Sequence, residues 1–378
     1  MKLTAGLDVH KEKCAVHIAY GGLNKPSAKQ QAVIDKMNEE LRRIPSDYRG
    51  MKKLADRLKD HEAYILMENS TKSHNVYWML KELGMNVIVA HSTDLERITK
   101  SQRKNDDNDA RELAHYMRRR LMGENEFHEA YIPSREVLQK RELCRMALED
   151  RSSLTTVKLQ IRSHLLIRGM ELSKNYRDIA CTSALRELGQ TMDTVLRIDA
   201  KKAEDLKTRI RFIEKTIRQS MMDDPVFDIV YSIPGFGVVS AAYVSCMGDD
   251  FSRFPDGRSY AASIGLIPKQ DNSADTDKQC GITRRGDADL RRIMCQATFV
   301  HVFHADSHIS RKYERLRNEG KSFNETLVAC ANSMCRMVFA MVRNGQRFVT
   351  DPKTLAKARV YADSGDVETD LEEERLRF

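Results

Sequence analysis

The first third of the chain alternates between strand-like and helix-like patterns of apolar residues. Residues 3–9 and 14–20 are apolar segments on either side of a short polar turn, which predicts an antiparallel β-hairpin. Two more apolar segments, 63–67 and 86–90, predict buried strands. The helical segments predicted between and after these strands are 28–43, 48–60, 71–84 and 106–120. A hairpin followed by β/α alternation predicts a mixed sheet with helices on its faces.

Apolar residues in the middle third recur at intervals of three and four, as in a heptad pattern. The two seams are Leu154, Val157, Ile161 and Leu165, and then Ala203, Leu206, Ile210, Ile213 and Ile217. This spacing predicts two long helices that form an antiparallel hairpin or coiled coil. An ordinary helical bundle has the same spacing.

The predicted fold class is α/β plus α. A mixed-sheet domain is expected at 1–130, a helical hairpin at 131–224 and a mainly helical, glycine-containing domain at 225–348. The last region, 349–378, carries a run of Asp and Glu after Ala362 with few apolar residues. Such a segment buries too little surface to fold, so we expect a disordered acidic tail.

Composition excludes several classes of protein. The 378 residues carry 63 Lys and Arg against 55 Asp and Glu, a net charge of +8, and the mean hydropathy is −0.54. No apolar stretch approaches the ~20 residues of a membrane span, and no signal-peptide pattern follows Met1, so a cytoplasmic protein without a membrane partner is expected. Eight scattered cysteines without a C-x-x-C pair predict neither a disulfide framework nor a structural zinc site.

Basic residues concentrate in two places, which favours a nucleic-acid partner. The first segment, 97–120, contains Lys104 among eight basic residues. The second cluster consists of Arg284, Arg285, Arg291 and Arg292. These side chains are expected to contact phosphates, and a solvated helix face is the alternative.

Four carboxylates stand where predicted elements begin or end. Asp8 and Glu68 come at the ends of two strands, and Asp106 and Asp109 share one face of a helix because they are three residues apart. Such a set could surround two divalent cations about 4 Å apart, as in phosphodiester chemistry. Oxygen ligands favour Mg²⁺, or Mn²⁺, over zinc. Asp107 would point away, and each carboxylate alone also fits a turn or cap residue.

Two further patterns, a glycine-containing turn and a group of histidines, offer candidate binding groups. The turn at 233–237, Ile-Pro-Gly-Phe-Gly, stands before an apolar helix and resembles a helix-hairpin-helix turn, in which backbone amides at Gly235 and Gly237 would bind a phosphate. A plain connecting turn is the alternative. His301, His304 and His308 share a helix face, and we expect them to line a surface rather than to bind a metal.

Several motifs together resemble one family, the DEDD transposases of insertion-sequence family 110/1111, which includes the Piv-type DNA invertases. In the first third these are Gly-Leu-Asp-Val-His-Lys at 6–11, Glu-Asn-Ser-Thr at 68–71 and Lys-Asn-Asp-Asp-Asn-Asp-Ala at 104–110. In the last third they are found, in the family's order, at 233–237, 248–249, 253–254, 265–268, 281–287 and 290–292. The resemblance covers roughly residues 3–345.

The resemblance implies a RuvC-like (RNase H-like) first domain in which Asp8, Glu68, Asp106 and Asp109 hold Mg²⁺. It also implies a serine nucleophile in the last domain. Ser273, five residues after Pro268, occupies that serine's place, although Ala274 replaces the glycine that usually follows it.

The implied function is a transposase or site-specific recombinase that cuts and rejoins DNA through a serine-linked intermediate. The resemblance also implies a structured non-coding guide RNA, and paired strand cleavages favour a homodimer or homotetramer. Three alternatives stand beside this function: a RuvC-type nuclease that uses water, a DNA invertase with the same chemistry, and a protein that only binds nucleic acid.

Overall fold

The protein, in a computed structural model, divides into two compact units, Met1–Pro133 and Ser134–Phe378. The structure describes residues 1–91, 94–95, 106–124, 127–248, 251–269, 272–273, 276–277, 280–283 and 286–364. Each unit has its own hydrophobic core.

The first unit is a five-stranded mixed sheet with helices packed on it. Its strands are β1 (Lys2–Val9), β2 (Lys13–Tyr20), β3 (Arg43–Pro45), β4 (Glu62–Glu68) and β5 (Asn86–Ala90). Its helices are α1 (Ala28–Leu41), α2 (Tyr48–Leu58), α3 (Ser73–Glu82) and α4 (Asp106–Leu121). The strand order is β3-β2-β1-β4-β5, with β1–β2 and β2–β3 antiparallel and β1–β4 and β4–β5 parallel. The predicted hairpin and mixed sheet are confirmed.

A glycine in the central strand determines where α4 packs. A Cβ atom at Gly6 would lie 2.0 Å from the carbonyl oxygen of Ala110 and 2.5 Å from the amide nitrogen of Ala114. The α4 backbone therefore rests directly on β1, with both alanines fully buried. Because α4 begins at Asp106, this close approach holds the start of the helix near the end of β1.

The second unit is almost entirely helical. Its helices are α5 (Arg135–Ile167), α6 (Thr182–Gly189), α7 (Thr194–Ser220), α8 (Pro225–Tyr231), α9 (Val238–Gly248), α10 (Gly257–Ile264), α11 (Ala288–His304), α12 (His308–Asn318), α13 (Phe323–Arg343) and α14 (Pro352–Ser364). Four short strands, β6 (Pro268–Lys269), β7 (Asn272–Ser273), β8 (Thr276–Asp277) and β9 (Cys280–Ile282), lie between α10 and α11. They pair as β6 with β9 and β7 with β8, both antiparallel.

The two long helices α5 and α7 pack antiparallel, as the heptad-like spacing predicts. Ion pairs show the direction, since Arg151 pairs with Glu214 whereas His164, further along α5, pairs with the earlier residue Asp199. The core between them includes Val157, Ile161, Leu165, Leu196, Ala200 and Ala203. The helices α5 and α9 also contact each other, because the buried Arg141 guanidinium donates to the Cys246 carbonyl at 2.8 and 2.9 Å.

The core of the second unit is built around α9 and α13. The α9 helix is apolar on all sides and almost wholly buried. Among the described residues, α13 alone is long and apolar enough to cross a membrane when judged by length and composition. Its residues Cys330, Ala331, Met334 and Cys335 belong to the core.

The last helix corrects one expectation. The segment 349–378 was expected to be disordered, but α14 occupies Pro352–Ser364, and Ala358 is buried beside Phe299 and Leu327. The reason is that the acidic run starts only at Asp363, so the residues before it retain apolar side chains for packing. Residues 365–378 lie outside the described residues.

Candidate active site

The sheet brings two of the predicted carboxylates to one edge. The parallel strands β1 and β4 are in register with Leu7 opposite Met67. Asp8 and Glu68, the next residue on each strand, therefore lie side by side at the carboxyl end of the sheet, where Glu68 is exposed. The α4 helix, seated on Gly6, adds Asp106 and Asp109 from its first turn.

Asp8 is partly enclosed, with 20% of its side chain exposed against 43% for Asp106. Burial raises its pKa, and the charges of Asp106 and Asp109 raise it further, against the opposing effect of His10. A carboxylate with a raised pKa among other carboxylates is unfavourably ionised until a cation joins it. These oxygen donors fit a hard divalent cation.

His10 lies at the candidate site, although the sequence did not single it out. Its Nε2 atom lies 3.1 Å from Asp8 Oδ2 and 3.5 Å from Asp106 Oδ1. The ligating atoms of Asp8, His10 and Asp106 all lie within 4.8 Å of one another, so these three could share a metal ion. The sequence offered one local signal, a histidine two residues after the strand-end aspartate. The contact of this histidine with Asp106 joins residues 96 positions apart, so the residue order does not reveal it.

Asp107 has a different role from its neighbours. The Arg42 guanidinium donates to its Oδ2 from Nε at 3.1 Å, and Arg43 is 3.5 Å away. The hydrogen bond from Arg42 holds the pKa of Asp107 below its usual range. The negative charge of Asp107 is therefore balanced by arginines of the same chain. Among the described residues, the guanidinium nearest to Asp106, that of Arg43, is further away, at 3.7 Å.

Ser273 belongs to the other unit. It stands in β7 with its backbone opposite Thr276, in the two-stranded ribbon of β7 and β8. Its side chain and Ala274 lie outside the described residues, as do Lys104, Arg284 and Arg285. Arg291 is half-buried and donates from Nη1 to the Ile264 carbonyl at 2.9 Å, and Arg292 lies 3.3 Å from Asp289.

The turn before α9 is buried. Gly235 has φ +103°, and a Cβ there would lie 2.2 Å from the Ala297 carbonyl oxygen. The Gly237 amide donates to Ser240 Oγ at 2.8 Å, and the Phe236 amide donates to the Ile233 carbonyl. Gly235 thus permits close packing against α11, and phosphate binding by Gly235 and Gly237 stays a prediction without support from this geometry.

The histidines of α11 and α12 divide between core and surface. His301 is fully buried, with Nδ1 3.0 Å from the Pro234 carbonyl and Nε2 2.9 Å from Ser307 Oγ. Because the carbonyl can only accept, Nδ1 carries the proton and Nε2 accepts from Ser307. His304 is half-buried and His308 exposed, and among the described residues the three form no metal-binding group.

His301 is expected to make stability pH-dependent. Burial lowers its pKa to about 4 from an ordinary 6.5, so the unfolded chain binds a proton that the folded chain refuses. The contribution of neutral His301 to the free energy of unfolding is intact above pH 6.5. As the pH falls towards 4, the free energy of unfolding decreases by up to about 3 kcal/mol. His301→Gln should lower the melting temperature at pH 7 and flatten its dependence between pH 6.5 and 4. His308→Gln, at an exposed position, is the control, and parallel profiles for wild type and His301→Gln would contradict this assignment.

Two family models match the chain. One, described as a transposase of the DEDD IS110 type, matches residues 5–170. The other, described as the transposase IS116/IS110/IS902 family, matches residues 228–314. The chain belongs to the IS110/IS1111 family of transposases. The expectation of a DNA transposase is thereby confirmed, and a DEDD domain implies a divalent metal, which the group at Asp8 fits.

Individual relatives of this transposase agree with the family. It is 27% identical to the transposase for insertion sequence element IS1328 of Yersinia enterocolitica, over 37% of this chain and 42% of the relative. It is 24% identical to a probable family 20 transposase of Pseudomonas aeruginosa, over 74% of this chain and 83% of the relative. It is 23% identical to the transposase for insertion sequence element IS1111A of Coxiella burnetii, over 75% and 79%.

Proposed function

We propose that this transposase cuts and rejoins DNA through a covalent bond to Ser273, with Asp8, Glu68, Asp106 and Asp109 holding Mg²⁺ or Mn²⁺. The observation that carries the metal site is the convergence of the ligating atoms of Asp8, His10 and Asp106 within 4.8 Å of one another. Burial and two neighbouring carboxylates also raise the pKa of Asp8. Carboxylates that repel one another are favourable neighbours once a bound cation neutralises their charge. The family membership supplies the substrate, DNA.

We propose further that the first unit is a RuvC-like, RNase H-like domain. Supporting this, three antiparallel strands, β3-β2-β1, continue into two parallel strands, β4 and β5. The carboxylates lie on the central strand β1, on its parallel neighbour β4 and on the helix that follows β5. This placement gathers acidic groups from three separate chain segments at one edge of the sheet.

The chain's own residues have defined tasks in this reaction. Asp8 and its neighbours would bind and orient a divalent cation. A cation bound there would neutralise phosphate charge and ease deprotonation of a hydroxyl. The Ser273 oxygen forms a bond to phosphorus while the bond from phosphorus to one strand oxygen breaks, and the proton leaves with that strand's hydroxyl. A hydroxyl of another strand then attacks the same phosphorus, which restores a DNA phosphodiester and the free serine.

The partners in this proposal are DNA, a structured non-coding guide RNA and a second copy of the chain. Apolar side chains near the end of the α5–α7 hairpin support a homodimer or homotetramer, because they are exposed in the single chain. They are Leu166, Ile167, Met192 and Ile198, with 83, 75, 99 and 62% exposure. The proposed location is the cytoplasm.

The experiment that tests the function is covalent trapping. The protein is incubated with DNA from the flanks of its own gene, the adjacent non-coding RNA and Mg²⁺, and a denaturing gel is examined for a protein–DNA adduct. We expect an adduct with wild type and none with Ser273→Ala, because the nucleophilic oxygen is gone. Asn272→Ala, at the neighbouring ribbon position, is the matched control and should still form it.

The rival nuclease gives a different result. If Ser273→Ala still cuts DNA in Mg²⁺ and no adduct forms with wild type, water is the nucleophile and the serine proposal is wrong. Adduct formation without any divalent cation would instead contradict the role proposed for the carboxylates.

A further inference from the structure

A cleft between α6 and α7 is lined by charged side chains that are mainly basic. It has a volume of about 520 Å³. Its lining contains five basic side chains and one acidic side chain, Glu204. The basic residues are Arg186, Arg197, Lys201, Lys207 and Arg211. The cleft belongs to the second unit, and the reaction proposed above uses none of these residues.

The walls of the cleft are fixed by packing and polar contacts. Ala180, Leu188, Ala200 and Ala203 are buried in the small core that joins α6 to α7. The Lys207 ammonium donates to the Ala180 carbonyl, which ties α7 to the chain that enters α6. The two helices therefore present their basic side chains from a stable frame.

The three arginines of the cleft have no counter-charge among the residues that the structure describes. Arg186, Arg197 and Arg211 are exposed, and they form no ion pair with any residue that the structure describes. Lys201 differs, because Glu204 and Asp205 lie 3.2 and 3.0 Å from it. The uncompensated charge of the cleft thus resides mainly on these three guanidinium groups.

Two acidic residues of α7 are paired on its other side. Asp199 pairs with His164 of α5, and Glu214 pairs with Arg151 of α5. These two acids help to hold the hairpin together, whereas Arg197 and Arg211 line the cleft. This separation leaves a basic stripe along α7, since Arg197 and Arg211 are fourteen residues apart and point in nearly the same direction.

We propose that this cleft is a binding site for the phosphodiester backbone of a nucleic acid. Guanidinium groups donate two parallel hydrogen bonds to phosphate, the geometry that an unpaired arginine offers. The distance along α7 from Arg197 to Arg211 is about 21 Å, at 1.5 Å per residue. That length corresponds to about six base-pair steps along a duplex axis, at about 3.4 Å of axial rise each. A single small anion would engage only part of the stripe.

The test is a binding measurement on the full chain without divalent cations, so that cleavage and the metal site do not enter. Fluorescence anisotropy with a labelled DNA duplex and a labelled RNA duplex of the same sequence compares wild type with Arg186→Gln/Arg197→Gln/Arg211→Gln. We expect the affinity at 0.1 M salt to fall on the order of 10²-fold. The slope of log K against log salt should decrease by about 3.

Two further variants make the result specific. Lys29→Gln/Lys36→Gln/Lys52→Gln removes the same charge from exposed positions of the first unit and should change binding far less. Replacing the three cleft arginines with lysine should keep most of the affinity, because the positive charges stay.

The outcomes decide the proposal and its ligand. A loss with the DNA duplex, the RNA duplex or both supports the cleft and identifies which backbone it prefers. Equal losses in the cleft variant and the Lys29/Lys36/Lys52 variant would show a net-charge effect and overturn the proposal. Unchanged binding of both duplexes by the cleft variant would overturn it as well.

Discussion

Asp8→Asn should reduce DNA strand cleavage on the order of 10³-fold or more. Asp8 is the central carboxylate of the candidate site, because burial and the charges of His10, Asp106 and Asp109 all shift its pKa. An amide removes the negative charge that would attract the cation and keeps the shape of the side chain. The measurement is the single-turnover rate of strand cutting at saturating Mg²⁺.

The same substitution should stabilise the metal-free protein. The folded state raises the pKa of Asp8, so ionised Asp8 costs folding free energy at neutral pH, and this cost disappears only as pH falls low enough to protonate the group. An asparagine removes the cost at every pH. Thermal denaturation in EDTA should therefore give Asp8→Asn a higher melting temperature than wild type. Added Mg²⁺ or Mn²⁺ should raise the melting temperature of wild type but not that of Asp8→Asn.

Asp107→Asn is the matched control, one helix position from Asp106. Its carboxylate is compensated by Arg42 and Arg43, so its loss should leave cation-dependent stabilisation nearly unchanged. Equal cleavage rates for Asp8→Asn and wild type would remove Asp8 from the proposed site. Equal Mg²⁺-induced shifts in those two proteins would do the same by a readout that does not involve activity.

The elements that the sequence predicted well are those whose signal is local. The β1–β2 hairpin is marked by two apolar segments and a polar turn, and α5 and α7 are marked by their repeated apolar seams. Boundaries moved by only a few residues, for example from 28–43 to Ala28–Leu41. A strand-end aspartate is equally visible, because only residue order is needed to place it.

What the sequence did not reveal depends on contacts between distant segments. The proximity of His10 to Asp106 exists only because α4 lies on β1. The burial of Gly235 depends on Ala297 in a helix more than sixty residues later. A Pro-Gly-Phe-Gly turn looks the same in sequence whether its amides face solvent or a neighbouring helix.

Gly6→Ala should damage both the stability of the first unit and the candidate site, although it adds a single methyl group. The added Cβ would lie 2.0 Å from the Ala110 carbonyl oxygen and 2.5 Å from the Ala114 amide nitrogen. Both atoms are helix backbone, so a side-chain rotation cannot relieve the clash, and α4 must move away from β1. We expect a loss of about 3 kcal/mol in the free energy of unfolding, near the upper end for overpacking.

The displacement of α4 should also separate Asp106 and Asp109 from Asp8. A shift of about 1 Å in catalytic groups lowers rates on the order of 10²-fold, so cleavage should fall even at temperatures where Gly6→Ala is folded. Gly189→Ala is the control, because a Cβ at that helical position meets nothing within 4 Å and should stabilise by about 0.5–1 kcal/mol. If Gly6→Ala had the same free energy of unfolding and the same DNA cleavage rate as wild type, α4 would not be held on β1 as described. The position of Asp106 and Asp109 beside Asp8 would then lose its structural basis.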